Sequence, residues 1–373
     1  MADDIPHADA GRAGDASAGP GRPGPAPRQN PGRRRVLRIA ALTLAAAILL
    51  GGAGAAAVYL KLDGNISGID IDAVLGTDRP EDRPDGSLDI LVLGSDARPE
   101  GDGEGSDGEA RADAAMIVHI NEGHESATVV SLPRDTLIAR PECVLEDGST
   151  VPAERRAMFN EAYAVGGPAC AVKTVESMTG IRMDHYLEID FKGFEKIIDT
   201  LGGVEVTVTE PLEDEKSRLS LEPGTHRLDG GQALALVRTR KSVGDGSDLG
   251  RINLQHDFLR ALAAEVREVG LFTSPKKLYH LADTATSAIT TDSAIASVGD
   301  LSSLGRTLQG IGPEDLQTVT LPVVYDEEDP NRVVPIEDQA EQVWEALRRD
   351  LPVPDSAMKD SAAGESEGNG LVR

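Results

Sequence analysis

Twenty-two consecutive residues, Ile39 to Leu60, carry no charge, and only Thr43 and Tyr59 among them are mildly polar. At a rise of about 1.5 Å per residue such a run matches the hydrocarbon core of a bilayer, so one transmembrane helix is expected over 39–60. Arg33, Arg34, Arg35 and Arg38 stand directly before it, whereas Lys61, Asp63 and the acidic stretch Asp78 to Asp85 follow. That asymmetry places the N-terminus in the cytoplasm and everything after Lys61 outside the cell membrane, a single-pass topology. A cleaved signal peptide is the rival reading. The apolar core is too long for it, and the charged, Pro/Gly-rich leader is unlike a short n-region.

The anchor divides the rest of the chain. Residues 1–38 read as a disordered cytoplasmic tail, because Met1 to Pro31 has almost no large apolar side chain to bury. Residues 61–87 read as a linker, 88–353 as one extracytoplasmic α/β domain, and 354–373 as a second disordered tail. Aromatic residues are 3% of the chain, so the core has to be aliphatic. Leu88 to Leu93 and Thr128 to Leu132 read as strands, and Cys170 to Thr179 and Phe194 to Leu201 as helices. The only cysteines, Cys143 and Cys170, fall in the exterior part, where a disulfide around the Asn160 to Gly167 segment is expected; two separate thiols are the alternative. No zinc pattern, P-loop or Gly-x-Ser-x-Gly elbow occurs. His119 and His124 flank a turn at Asn121-Glu122-Gly123 and read as surface residues.

The formal net charge is −26, yet arginines gather in one short stretch, Ala233-Leu-Ala-Leu-Val-Arg238-Thr-Arg240 followed by Asp248-Leu-Gly-Arg251 and Gln255. Alternation of Leu234, Leu236, Arg238 and Arg240 suggests a strand with both arginines on one face. From Leu249 the apolar residues recur at helical spacing, with Ser247 or Asp248 as cap and Arg251 and Gln255 as i,i+4 neighbours near the positive end of the helix dipole. Guanidinium forks match phosphate oxygens bidentately, which points to a phosphate or pyrophosphate site. Structural ion pairs with nearby acids imitate such clusters, so this stretch alone does not decide.

Two more segments suggest a metal. The strand at Leu88 ends in Asp96 and Arg98; an acidic glycine-rich loop, Glu100 to Glu109, leads to Arg111 and Asp113 at the start of another apolar strand. If these strands form a hairpin, Asp96 and Asp113 lie side by side, and two carboxylates completed by phosphate oxygens and water suit Mg²⁺. Ser131-Leu-Pro-Arg134-Asp135-Thr136 places a further arginine and carboxylate at a strand end, where a local salt bridge is the plainer reading.

Taken in order, Leu93-Gly-Ser-Asp-Ala-Arg98, Arg111-Ala-Asp113, Ser131 to Thr136, Asn160-Glu-Ala-Tyr163 with Gly166-Gly167, Phe191-Lys-Gly-Phe194 with Asp199 to Val204, Leu228-Asp-Gly-Gly-Gln-Ala-Leu234, Val237 to Arg240, and Asp248 to Arg251 with Gln255 closely resemble the LytR-CpsA-Psr family of cell-envelope proteins. The resemblance implies an α/β fold with a mixed, largely antiparallel central sheet flanked by helices. It implies a phosphotransferase that moves a glycopolymer from a polyprenyl pyrophosphate carrier to peptidoglycan, with the prenyl tail in a long apolar pocket. By resemblance the pyrophosphate-binding arginines fall on Arg98, Arg134, Arg238, Arg240 and Arg251, with Gln255, Arg111 and Asp248 as further substrate contacts. The Mg²⁺-binding aspartates fall on Asp96 and Asp113. The family often has a basic residue just before the glutamine; Leu254 stands there in this chain.

Three other activities share parts of this equipment. A pyrophosphatase acting on the lipid carrier uses the same residues with water as acceptor, and a binding module holds the lipid-linked intermediate without chemistry. A membrane-bound transcriptional attenuator needs a nucleic-acid-binding cytoplasmic part. A short, proline-rich leader does not supply one, and a domain this acidic repels nucleic acid.

Overall fold

A computed structural model describes residues 31–83, 86–95, 112–145, 147–239, 248–268, 275–359 and 361–362, the side chains of 31–42, 45–47 and 275 excepted. The chain divides into two compact units, Met1–Ala56 and Ala57–Arg373. In the first, the described chain is helical; helix α1 (Pro31–Asp63) runs through the apolar stretch, with Leu44, Ile48, Leu49 and Leu50 exposed. Among the described residues no helix is long and apolar enough to cross a membrane. The side chains at 39–42 and 45–47, part of the expected span, lie outside that set.

The second unit is built on a seven-stranded sheet. Its strands are β1 (Ser67–Ile69), β2 (Leu88–Ser95), β3 (Ala112–Ile120), β4 (Ala127–Ser131), β5 (His185–Asp190), β6 (Ile289–Asp292) and β7 (Leu316–Thr320), in the order β1-β6-β5-β2-β3-β4-β7. β1 with β6, β5 with β2 and β4 with β7 are parallel, while β6 with β5, β2 with β3 and β3 with β4 are antiparallel. The sheet is therefore evenly mixed rather than largely antiparallel, because both edges are completed by parallel strands that arrive from distant parts of the chain.

Alternate residues of the central strands serve two cores. Leu91 and Leu93 of β2, Ile117 of β3 and Val130 of β4 pack with α3 (Phe159–Thr179) and α9 (Glu337–Arg348). Ile90 and Ile120 instead join Ile295, Ile311 and Leu304 of α8 (Val298–Gln309). A third cluster joins α4 (Phe191–Leu201), α5 (Gly230–Arg238) and α6 (Asp248–Glu268) to the hairpin of Val204–Val208 and Gly224–Leu228.

The expected linker and the described start of the expected C-terminal tail both contribute to the domain. In 61–87, β1 extends the sheet, Ile71 and Leu75 of α2 (Ile71–Leu75) enter the larger core, and Arg79 pairs with Glu176 of α3 at 2.6 Å. Elements of three and five residues are too short to display a period, which is why this stretch reads as a linker. Beyond Val353 in the same way, Ala357 and Ser361 are buried, and the Ser361 hydroxyl accepts from the Val323 N–H at 3.1 Å; residues 363–373 lie outside the description. Cys143 and Cys170 form a disulfide. It packs where α3 kinks: Gly166 and Gly167 leave helical geometry, and a Cβ on Gly166 would lie 2.5 Å from that of Cys170.

His119 is not a surface residue. It is buried on β3, with Nδ1 2.8 Å from Asp89 Oδ1 and Nε2 3.0 Å from Asp350 Oδ1, and Asp89 also pairs with Arg83. The period of β3 concealed this, since a polar residue in an alternating strand reads as solvent-facing. With a carboxylate at each ring nitrogen, both nitrogens donate only in the imidazolium. Burial pulls the ring's pKa down, but Asp89 and Asp350 outweigh it and hold it above the ordinary histidine value. Its contribution to stability is thus complete below the ordinary value, about pH 6.5, and is lost as pH rises through the raised folded value. The midpoint of denaturant unfolding is expected to fall across that range, and His119→Gln is expected to remove this component; an unchanged slope in the variant would refute the assignment.

A candidate anion-binding site at one end of the sheet

β2 and β3 form the expected hairpin, and the end that residues 96–111 connect carries the first site residue. Gly94 pairs with Ala114 but Ser95 pairs with Ala112, so Asp113 is the extra residue of a bulge, a device that redirects a side chain at a sheet rim. Beside it β4 ends at Ser131, and Leu132-Pro133 turns the chain into Arg134. From Arg134 the Nη1 donates to Asp113 Oδ1 at 2.7 Å, and its backbone N–H donates to Asp248 Oδ2 at 3.2 Å. Asp248 opens α6, and one turn on, the buried Arg251 pairs with Asp248 and donates to the Asp113 carbonyl at 2.8 Å. Asp113, Arg134, Asp248 and Arg251 are thereby gathered from three elements. Asp96, Arg98, Arg111, Arg240 and the alternative cap Ser247 lie outside the described residues.

The gathered charges are balanced. Arg134 Nε is 3.7 Å from Asp135 and 3.8 Å from Asp248, and Arg332 lies 3.6 Å from Asp135, so three carboxylates face three guanidiniums. This is the ion-pair reading in part, yet it does not exhaust the polar groups. Among the described residues Arg134 Nε and the Asn160 side-chain oxygen are buried without a hydrogen-bond partner, and the Asn160 N–H donates to the Arg134 carbonyl at 3.2 Å. A buried polar atom left unpaired costs about 1–3 kcal/mol, so two of them on residues joined through the backbone are suited to a polar ligand.

Two sequence-predicted residues sit differently from expectation. Arg238 does not lie on a strand: it ends helix α5, is exposed, and stacks over the Phe191 ring with 4.4 Å from Cζ to the centroid. The signal was present in Asp229-Gly-Gly-Gln232, a capping box in which Asp229 accepts from the Gln232 N–H and Gln232 reaches back to the Asp229 N–H. Leu234 and Leu236 imitated a strand because two glycines obscured the helical period. Gln255 is buried, and its amide donates to the Val237 carbonyl at 3.1 Å, so it ties α6 to the last turn of α5.

Two polar groupings near these residues escaped the sequence reading. Tyr163 donates to Glu188 Oε1 at 2.7 Å, and Tyr186 bonds its other oxygen; burial, with the Glu188 charge, pushes the Tyr186 phenol well above its ordinary value. Ser131 Oγ lies 2.8 Å from His256 Nε2, both buried, joining the strand that delivers Arg134 to the helix that delivers Arg251. Burial, assisted by the Arg260 charge, lowers the His256 pKa to about 3. An unfolded histidine takes up its proton near pH 6.5, so between there and about 3 the unfolded chain binds more protons and stability declines as pH falls, the opposite sign to His119. An NMR titration is expected to show the His256 ring neutral throughout about pH 5 to 8; a protonation step in that window would contradict the buried Ser131 bond.

Two polar clefts among the described residues are lined by other residues, one by Asp82, Arg83, Asp89, Arg182 and Asp184 and one by Asp78, Arg79, Lys173 and Glu176. Neither is the expected prenyl pocket.

The model of the LytR_cpsA_psr family matches residues 58–349. Among curated proteins the chain is similar to the cell wall biosynthesis protein LcpA of Corynebacterium glutamicum, 29% identical over 362 residues that cover 86% of this chain and 67% of LcpA. It is also similar to the polyisoprenyl-teichoic acid–peptidoglycan teichoic acid transferase TagT of Bacillus subtilis, 38% identical over 182 residues, 47% of this chain and 52% of TagT. The chain thus spans only about half the length of TagT. Among solved structures, a LytR-Csp2A-Psr enzyme from Actinomyces oris aligns with a TM-score of 0.55 at 27% identity, covering 75% of this chain and 95% of that one.

Proposed function

Because this chain belongs to the LytR-CpsA-Psr family, we propose that it is a membrane-anchored phosphotransferase that moves a glycopolymer from a polyprenyl pyrophosphate carrier to peptidoglycan outside the cell. Relatives named for cell wall biosynthesis and teichoic acid transfer support the polymer and the acceptor class. The disulfide fits an exterior compartment, and the apolar run before Lys61 fits an anchor. The observation that carries the reaction type is the convergence of Arg134 and Arg251 at the sheet end, with Arg134 Nε and the Asn160 oxygen still unbonded.

Phosphoryl transfer depends on charge neutralisation and in-line placement more than on covalent help. Arg134 and Arg251 would bind the diphosphate oxygens, with Arg98, Arg238 and Arg240 supplied from neighbouring segments. A sugar hydroxyl of the acceptor attacks the glycan-linked phosphorus, the bond from that phosphorus to the bridging oxygen breaks, and polyprenyl phosphate leaves with the electron pair. The hydroxyl proton passes to Asp248, Asp135 or water. Asp113, a hard oxygen donor presented on a bulge, fits one position of an incomplete Mg²⁺ shell, with Asp96 as the second. Bound there, Mg²⁺ would neutralise charge on the diphosphate. Carboxylates that hold the arginines in the free protein would then give them up to phosphate.

The test is incubation of the full chain in lipid nanodiscs with a short polyprenyl pyrophosphoryl sugar and Mg²⁺, with and without peptidoglycan fragments, followed by mass spectrometry. Glycan on the acceptor together with released polyprenyl phosphate is the expected result. Release to water alone would replace transferase by pyrophosphatase, and intact bound lipid would leave only a binding module.

A further inference from the structure

Lys61 is the residue after the apolar run, and its ammonium is fastened to helix α7 (Pro275–Ala288). It pairs with Asp283 at 2.8 Å, donates to the Tyr279 hydroxyl at 3.1 Å and lies 5.6 Å from the Tyr279 ring centroid; Asn65 adds a second hydrogen bond to Asp283 at 3.0 Å. The C-terminal half of α7 is held on α4, where Thr284 bonds Thr200 at 3.2 Å and Gly193 lets Ala288 approach closely. Its N-terminal half presents Lys276, Lys277, Leu278 and His280 to solvent, with Leu278 38% exposed. Lysines around an exposed leucine and a tyrosine form the composition of a segment that sits in a lipid headgroup layer. In a chain of net charge −26 this cationic tip is local, and it adjoins the residue where the anchor would leave the bilayer.

From this we infer that the first turns of α7 dock on anionic phospholipid headgroups at the outer membrane surface, with Leu278 inserted and Lys276 and Lys277 facing phosphates. The inference rests on the membrane anchorage proposed above. Docking at two points, the anchor and α7, would fix the domain's tilt over the bilayer. A single flexible tether would not, and a lipid-borne substrate approaches from that plane.

Free cysteines are absent among the described residues, and the chain's two are joined, so a single introduced cysteine can be labelled selectively. The full chain would carry a fluorophore at Leu278→Cys in nanodiscs containing nitroxide-labelled lipid, either phosphatidylglycerol-rich or all phosphatidylcholine. Parallel samples would carry it at Leu50→Cys, and at the exposed Glu328→Cys in the segment that follows β7, the strand at the opposite edge of the sheet from β1. Expected is quenching at 278 and 50 but not at 328, with the signal at 278 weaker in phosphatidylcholine. Lys276→Glu/Lys277→Glu should lower the docked-to-free ratio on the order of tenfold. Quenching at 50 with none at 278 above the level at 328 would overturn the docking surface and keep the anchor. Absence of quenching at 50 would overturn the anchorage reading and the docking with it. Quenching at 278 indifferent to lipid charge and to both lysines would overturn the headgroup chemistry.

Discussion

Arg134→Ala is expected to lower glycan transfer on the order of 10²-fold, the scale set by loss of one preorganised charge-stabilising donor. The change removes the fork that bridges Asp113 and approaches Asp135 and Asp248, so it takes away a proposed phosphate ligand and leaves those three carboxylates facing one guanidinium fewer. An incoming diphosphate would then meet a more negative site. Arg134→Lys keeps the charge and loses the planar fork, so partial activity is expected, intermediate between wild type and alanine. Arg134 is partly exposed, with 21% of its side-chain surface accessible, so folding should survive. Circular dichroism would establish that, and initial rates with the lipid-linked sugar would measure the loss. Wild-type transfer by a folded Arg134→Ala protein would remove Arg134 from the site.

Glu176→Ala is expected to have the largest effect on stability, about 3–5 kcal/mol, as when one partner of a buried ion pair is deleted. Glu176 and Arg79 are 3% and 5% exposed, and Arg79 also donates to the Met183 carbonyl at 2.9 Å, so without that carboxylate the buried guanidinium keeps, among the described residues, only the exposed Asp72 as a charge partner. Glu176 further accepts from the Met183 N–H at 2.9 Å, a second bond lost. Replacing both partners together, Arg79→Met with Glu176→Leu, should recover much of the loss, because the penalty arises from the unpaired charge rather than from missing attraction. Denaturant midpoints of the three proteins would decide it. A single variant as stable as wild type would mean that residues around Arg79 contribute little to the fold.

Strongly local features were legible from residues alone. The strand at Leu88 and the helices at Cys170, Phe194 and Leu249 announced themselves by period and capping, and each is present. The motifs from Leu93 to Gln255 were legible as a family because eight of them follow one another in order along the chain. Legibility ended where a neighbour distant in sequence decides the outcome. Arg238 belonged to a helix whose glycines hid the period, and His119 was drawn inward by Asp89 and Asp350, 30 and 231 residues away. Ser131 and His256 are 125 residues apart, so neither could be foreseen as the other's partner.

The sequence by itself determined the family, the apolar run before an acidic domain, and the residue types at the sheet end. These follow from composition, spacing and turn chemistry, which act over a few residues. Only tertiary structure decided that the sheet is evenly parallel and antiparallel, that the stretches after Lys61 and Val353 belong to the domain, and that Asp113 and Asp248 hold Arg134 and Arg251. Strand register and burial set those outcomes, and both are properties of surfaces brought together by the whole chain, where the cost of burying a charge selects its partner.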